Sequence, residues 1–408
     1  MRFTTSILLL TYVLCCQSLR LNAAGTAQHI IKEQLTDWVE PDHVHLSLTV
    51  VSTQGGKEQI VKADTETYQY KNYESGYIHI SCQAQGNQRE ECTFLTMSFR
   101  YKYRCGDGKL KKFSSVSSFS TETATVQFPW SFIAMADHGT SKDSERLLKS
   151  MTKEMKRSNP PQLIIHSGDV SYANGDQPIW DDWQHMVNPL ASTLPWMIAP
   201  GNHEKEHKSN FLAFRHRFSM PYKQSGSTDR NMYYSFDYQN AHFIALNSED
   251  DDIDSDQSDQ YNWLQNDLKN IDRQRTPWVF VYFHTPIYCS NSAHYEEGQP
   301  MGSVYEDLLF QNSVDVVFSG HVHAYERTQR IYRDEINEKG PVYIINGAGG
   351  TSEGLATSWE ETPDWSVFRQ SEHWGHGLIQ IYNGTHMRYQ FKEDMHSKII
   401  DEVWITRE

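Results

Sequence analysis

Cysteine is scarce in this chain of 408 residues, with six in all, and two of them, Cys15 and Cys16, fall in the amino-terminal apolar run. The other four, Cys82, Cys92, Cys105 and Cys289, are too few for folding to rest on a disulfide framework. Cys82 and Cys92 close apparent strands around Gly86-Asn87, and a bridge between them fits an oxidising compartment, but four thiols allow several full pairings. Long hydrophobic runs are also lacking. Only Ile7 to Cys16 stands out; with Arg2 before it and Ala23-Ala24 after it, the run has the layout of a secretory signal peptide. Residues 1–24 are therefore expected to be removed, sending the chain along the secretory pathway to a secreted or lysosomal location without stable membrane insertion. Basic residues number 37 against 52 acidic ones, for a formal charge of -15. No cluster of Lys and Arg offers the phosphate neutralisation that nucleic-acid binding needs. The acidic run Glu249 to Asp259 lacks the Gly and terminal Glu of a calcium loop and reads as a solvated loop. There is no internal repeat.

An apolar content of 38% with 12% aromatics supports packed cores, and the length allows two or three domains. Val44 to Val51, Tyr77 to Ser81 and Thr93 to Tyr103 read as strands separated by Gly, Asn and Asp turns, which predicts a small β-sandwich over residues 25–124. From Phe128 the pattern changes. Ser131 to Ala136, Leu163 to His166, Trp196 to Ala199, His242 to Leu246, Val279 to Phe283, Val314 to Phe318 and Val342 to Ile345 are short apolar runs without alternation, as in strands covered on both faces. Helices are predicted at Ser144 to Arg157, Asp181 to Ala191 and Gln260 to Ile271, giving a layered α/β domain over 125–408.

Five short segments lie at or just after the ends of those runs: Asp137-His138-Gly139, Gly168-Asp169-Val170-Ser171-Tyr172, Gly201-Asn202-His203-Glu204, Val281-Tyr282-Phe283-His284 and Gly320-His321-Val322-His323. A lone Asp-x-Gly is usually a turn and a lone His-x-His a satisfied pair. Five in order, offering carboxylates, an amide, a phenol and imidazoles at the carboxy ends of strands, form a ligand set for two adjacent metal ions.

In order and spacing these segments resemble the metal-ligand blocks of the purple acid phosphatases. Val44 to Leu48 and Tyr103 to Asp107 resemble that family's amino-terminal domain; Asn346-Gly347-Ala348-Gly349-Gly350 and the run from His386 to Ile405 resemble its carboxy-terminal segment, here 340–408. The resemblance implies a four-layer α/β/β/α metallophosphoesterase domain preceded by a fibronectin type III-like sandwich. It assigns Asp137, Asp169, Tyr172 and His323 to iron(III), and Asp169, Asn202, His284 and His321 to a divalent ion, iron, zinc or manganese. Two carboxylates and a phenolate suit the harder ion, and the neutral amide and imidazoles suit the softer one. Tyr172 is the most discriminating position, since general dinuclear phosphoesterases carry a His where this chain has Gly139.

The resemblance further implies that Asn202, His203 and His294 contact substrate phosphate and that His294 protonates the leaving group, with Ala293 standing where the family has a first His. Glu297 lies close enough in sequence to orient His294, while His138 and Glu204 read as groups beside the ligands or facing solvent. Trp180, Trp183 and Trp263 read as core anchors. Asn383-Gly384-Thr385 is a glycosylation sequon. The implied activity is hydrolysis of small phosphate monoesters in mildly acidic solution by a metal-bound hydroxide, and the resemblance allows a homodimer. A phosphodiesterase or nucleotide pyrophosphatase would use the same ligands, and a non-catalytic iron-binding protein would hold metal without turnover.

Overall fold

The computed structural model describes residues 125–206 and 210–407 and, upstream, 47–52, 58–62, 69–70, 73–74, 100–107, 112–113 and 116–120. The upstream strands are β1 (Ser47–Ser52), β2 (Glu58–Lys62), β3 (Gln69–Tyr70), β4 (Tyr73–Glu74), β5 (Arg100–Asp107), β6 (Lys112–Phe113) and β7 (Ser117–Ser120). Five of them make an antiparallel sheet in the order β2-β1-β5-β6 with β7 on β5, and β3 pairs with β4. The predicted strand Tyr77 to Ser81, the Cys82–Cys92 bridge and the leader lie outside the described residues.

The body holds two sheets. In the first, β8 (Trp130–Met135), β9 (Pro161–Ser167) and β10 (Trp196–Ala199) run parallel, and β19 (Gly375–Ile381), β20 (His386–Glu393) and β21 (Ile399–Thr406) extend it antiparallel in the order β10-β9-β8-β19-β20-β21. In the second, β12 (Ala241–Ala245), β13 (Trp278–Tyr282), β14 (Val316–Ser319) and β17 (Val342–Asn346) are parallel. β11 (Tyr234–Tyr238) flanks β12, and β15 (Tyr325–Tyr332), β16 (Glu335–Ile336) and β18 (Ser366–Gln370) close the other side. The parallel strands are buried almost throughout, with only Gln162 of β9 half-buried, which is why their sequences are mostly apolar.

Phe132 of β8 holds the sheets together. Its ring meets Phe243 and Phe280 edge-on at 5.2 Å and Phe318 at 6.3 Å, one from each of β12, β13 and β14. Burying such a ring contributes roughly 1.5–3 kcal/mol. Helices cover the outer faces: α1 (Lys142–Glu154) and α2 (Gln177–Ala191) on the first sheet, α4 (Asp259–Lys269) and α5 (Gln299–Gln311) on the second, with short α3 (Leu212–Arg217) between. Trp183 of α2 packs on Trp196 of β10, and Ser235 and His242 reach Asp267 of α4. This is the four-layer arrangement expected of a metallophosphoesterase.

Differences from the expected elements have local causes. α1 starts two residues early because Ser141 accepts from the backbone N–H groups of Asp143 and Ser144. α2 starts at Gln177, where Pro178 is tolerated in a first turn. α5 was not expected; its Gly298 and Gly302 lie close to Pro286 and Ile287, a tertiary requirement that no periodicity announces. Trp180 and Trp183 are buried as anchors, while Trp263 is half-buried and donates to Ser225 O at 2.9 Å.

Candidate metal centre

Each predicted ligand leaves a strand at its carboxy end: Asp137 after β8, Asp169 and Tyr172 after β9, Asn202 after β10, His284 after β13, and His321 and His323 after β14. Four adopt left-handed backbone, with φ of 56° at Asp137, 54° at Asp169, 56° at Tyr172 and 69° at His321. Each such residue costs on the order of 1–2 kcal/mol, so the loops need external fastening. The N–H groups of Asp137, His138 and Gly139 donate to the carbonyls of Gly168, Asp169 and Val170 at 2.9–3.1 Å. Glu204, 1% exposed, accepts from the backbone N–H groups of Asp169, Val170 and Gly201 at 2.8, 2.9 and 2.9 Å. Gly168 (φ 88°) lies where a side chain would come within 2.7 Å of His284 Nδ1, and one at Gly201 would collide with Asp169.

The three imidazoles are oriented from outside. His284 Nδ1 faces Ser167 O at 2.9 Å, His323 Nδ1 faces Gly354 O at 3.1 Å, and His321 Nε2 faces a Glu297 carboxylate oxygen at 2.7 Å. Carbonyl and carboxylate oxygens only accept, so each outer nitrogen carries a proton, and the inner nitrogen presents a lone pair whenever the imidazole is neutral. Around His284 Nε2 stand Asp169 Oδ2 at 3.0 Å, Asn202 Oδ1 at 3.0 Å and His321 Nδ1 at 3.2 Å, all acceptors. On the other side the Tyr172 hydroxyl has one proton for Asp137 Oδ1 at 3.1 Å and His323 Nε2 at 2.8 Å. Two neighbouring groups of crowded acceptors are a poor hydrogen-bond network and a good fit for two cations. Asp169, His284 and His321 offer ligand atoms within 4.8 Å of one another.

Burial and the facing charges set the acid–base state of these groups. Burial pushes the Asp137 carboxyl well above its ordinary range, and burial followed by the charges of Asp137 and Asp169 does the same to the Tyr172 phenol. Asp169 is buried too, yet the facing His284 holds it at about 2, and the same contact raises His284. Burial, with His284 beside one of them, brings His321 and His323 down to about 4. A bound cation would favour the deprotonated phenol and carboxylates.

Around this cluster, His203 lies with its ring 4.3 Å from Tyr172, its Nδ1 2.6 Å from Asn174 Oδ1 and its Nε2 3.7 Å from Glu353. The His294 ring lies tilted by 42° against that of His321 with centroids 3.9 Å apart, and its Nδ1 meets Glu297 at 3.2 Å, so one carboxylate bridges both imidazoles. Ala293 sits with His294 in one short 3-10 turn (Ser292–His294), and its N–H donates to the Asn291 side-chain oxygen at 3.0 Å. Neither His138 nor Glu204 faces solvent: His138 is fully buried between Trp183 Nε1 and Ser144 O. In the acidic run, Asp251 pairs with Lys205 at 3.0 Å and Glu249 takes the Thr285 hydroxyl at 2.8 Å, so its start is tethered rather than simply solvated. Glu353 and Asn174 carried no sequence signal, one in a loop after a Gly-rich run and the other in an Ala-Asn-Gly turn.

The calcineurin-like phosphoesterase family model matches residues 131–325, and the iron/zinc purple acid phosphatase-like protein C model matches 340–402. Purple acid phosphatase 18 of Arabidopsis thaliana is 38% identical over 92% of this chain and 82% of its own length. Probable purple acid phosphatase 20 of the same plant is 37% identical over 98% and 96%. The solved structure of a purple acid phosphatase from yellow lupin (Lupinus luteus) seeds superposes with a TM-score of 0.76 over 89% of this chain and 70% of that one, at 22% identity, which speaks for the fold. With both modules matched in order and nearly the full length shared with relatives above 30% identity, the chain belongs to the purple acid phosphatase family of metal-dependent phosphatases.

Proposed function

We propose that the protein is an acid phosphatase hydrolysing small phosphate monoesters at a centre of iron(III) and a divalent ion. Asp137, Asp169, Tyr172 and His323 would hold the first, and Asp169, Asn202, His284 and His321 the second. The observation that carries this reading is the set of three imidazoles whose outer nitrogens are fixed by acceptors while their inner nitrogens face further acceptors. When bound, such a pair polarises a phosphate ester and lowers the pKa of water. The chain's own residues do the rest. Asn202 and His203 bind the phosphate, with Asn174 fixing the His203 ring. His294, held at Nδ1 by Glu297, presents Nε2 as the proton donor to the leaving oxygen. Residues 1–24 act as a secretory leader, 25–124 as a β module and 125–408 as the catalytic body.

The test is elemental analysis alongside rates on a panel of monoesters and diesters. Iron plus a second metal, with faster turnover of monoesters, is expected; faster diester turnover transfers the reading to phosphodiesterase, and full metal without turnover to a binding protein. Oxidised protein should also show a visible tyrosinate-to-iron(III) band that Tyr172→Phe abolishes. A colourless wild type with full iron content would remove Tyr172 from the ligands.

A further inference from the structure

His294 lies on a stretch with little regular structure of its own. Between β13 and α5 the chain forms only an isolated bridge at Asn291 and the three-residue turn Ser292–His294, and Glu296 beyond it takes left-handed backbone with φ of 64°. Glu297 holds the His294 ring at Nδ1, but that carboxylate is half-exposed and shared with His321. The place of the turn itself is set from elsewhere.

It is set by a segment of the carboxy-terminal module. Residues 354–361 run from the His323 side of the centre to the turn. At one end Gly354 O accepts from His323 Nδ1 at 3.1 Å, and the Ala356 N–H donates to His323 O at 3.0 Å. At the other, the Ser292 N–H donates to Ser358 O at 3.0 Å and the Glu360 N–H to Ser290 O at 2.9 Å. Ala356 and Trp359 pack on a small apolar cluster that includes Cys289 and Val322, the residue between the predicted ligands His321 and His323.

Asn291 spans this seam with one side chain. Fully buried, it accepts at Oδ1 from the Ala293 N–H at 3.0 Å and donates from Nδ2 to Ala356 O at 2.7 Å. A backbone N–H only donates and a carbonyl only accepts, so the amide has a single orientation and uses both of its halves. His323 and His294 are thereby joined through the backbone of Ala356, one amide and the backbone of Ala293.

We propose that Asn291 is a positioning residue for protonation of the leaving group: its amide pins the turn bearing His294 to residues 354–361 and so fixes the His294 imidazole relative to the metal ligands. The inference rests on the reading of His294 as proton donor. Misplacing such a group by about 1 Å costs on the order of 10²-fold in rate. Serine caps a turn as asparagine does but is too short to reach Ala356 O. Aspartate keeps the acceptor and sets a carboxylate oxygen against that carbonyl.

Asn291→Ser, Asn291→Asp, His294→Ala and the double variant Asn291→Ser/His294→Ala are compared with wild type as metal-loaded full chains. Metal content, the visible spectrum and kcat on aryl and alkyl phosphates of graded leaving-group pKa are measured. Both single Asn291 variants should keep their metal, spectrum and aryl-phosphate turnover while losing roughly 10- to 10²-fold on alkyl phosphates. Adding Asn291→Ser to His294→Ala should cost nothing more. Equal losses on alkyl and aryl esters, or losses that multiply in the double variant, overturn the proposal. Wild-type rates in Asn291→Ser overturn it by reducing the amide to a local cap, and loss of metal from both Asn291 variants overturns it by making the amide a brace for the centre. If His294→Ala itself slows both ester classes equally, the proton-donor reading fails and the inference with it; if His294→Ala slows alkyl esters selectively and Asn291→Ser does not, the positioning role alone fails.

Discussion

Two clusters in the catalytic body are built from the same residue types and behave in opposite ways. At the metal centre, inner nitrogens of His284, His321 and His323 meet carboxylate, amide and phenol oxygens with too few protons to satisfy them. Across the second sheet, His242 lies between two carboxylates, Nδ1 on Asp237 at 2.7 Å and Nε2 on Asp267 at 2.9 Å. There the counting closes: one imidazolium, two donors, two acceptors, with Ser235 donating to the other Asp267 oxygen at 2.7 Å and Arg275 3.6 Å from Asp237. A satisfied His–carboxylate cluster ties β11 and β12 to α4, whereas an unsatisfied one is poised for a cation. The backbone makes the same distinction, since Asp137, Asp169 and His321 have left-handed φ and none of Asp237, His242 and Asp267 does.

The comparison breaks if removing a residue from the frustrated cluster leaves metal in place. Asp169→Ala, which deletes the carboxylate proposed to bridge the two ions, should lose both ions and slow turnover by ~10⁴-fold or more, about 5 kcal/mol of barrier. Elemental analysis and kcat measure it, and full metal retention would refute the bridging role. Asn202→Ala should chiefly weaken the divalent site.

A smaller effect is expected at His294, which touches the cluster only through His321 and Glu297. His294→Ala should slow alkyl phosphates by about 10²- to 10⁴-fold and activated aryl phosphates far less, because only basic leaving groups need the proton. Rates plotted against leaving-group pKa decide it: parallel lines for wild type and variant would reduce His294 to a phosphate contact. Ala293→His should alter the acidic limb of the pH profile with unchanged metal content.

The frustrated cluster was legible in the sequence because its chemistry demands particular side chains at strand ends, and the parallel strands that carry them are short, mostly apolar runs. The satisfied cluster was not: Asp237, His242 and Asp267 sit on three elements, and nothing local says they meet. The same holds for Glu204, whose three backbone partners come together only when two ligand loops pack, and for Glu353, which reaches His203 from the carboxy-terminal module. The antiparallel additions β15, β18 and β19 to β21 were less visible than the parallel core because sheet pairing, rather than composition, defines them. Asp401 of β21 receives Arg327 and Tyr325 of β15 at 2.6 and 2.7 Å, a link between the two sheets that no sequence window contains.

The smallest expected effect sharpens the comparison from the satisfied side. Burial works against charge on His242, but Asp237 and Asp267 outweigh it and lift its pKa to about 9. An unfolded His titrates near 6.5. The folded state therefore holds the proton more tightly, so this stabilisation is fully present below about pH 6.5 and fades as pH rises through about 9. The difference corresponds to roughly 3 kcal/mol. Chemical denaturation of metal-loaded protein should show wild type losing about that much between pH 6 and 10, while His242→Gln starts lower and has a flatter profile over the same range. Metal content and kcat at pH 6 should be unchanged in the variant, since His242 touches none of the predicted ligands. Loss of metal from His242→Gln, or a pH profile as steep as wild type, would show that the two clusters are not separable.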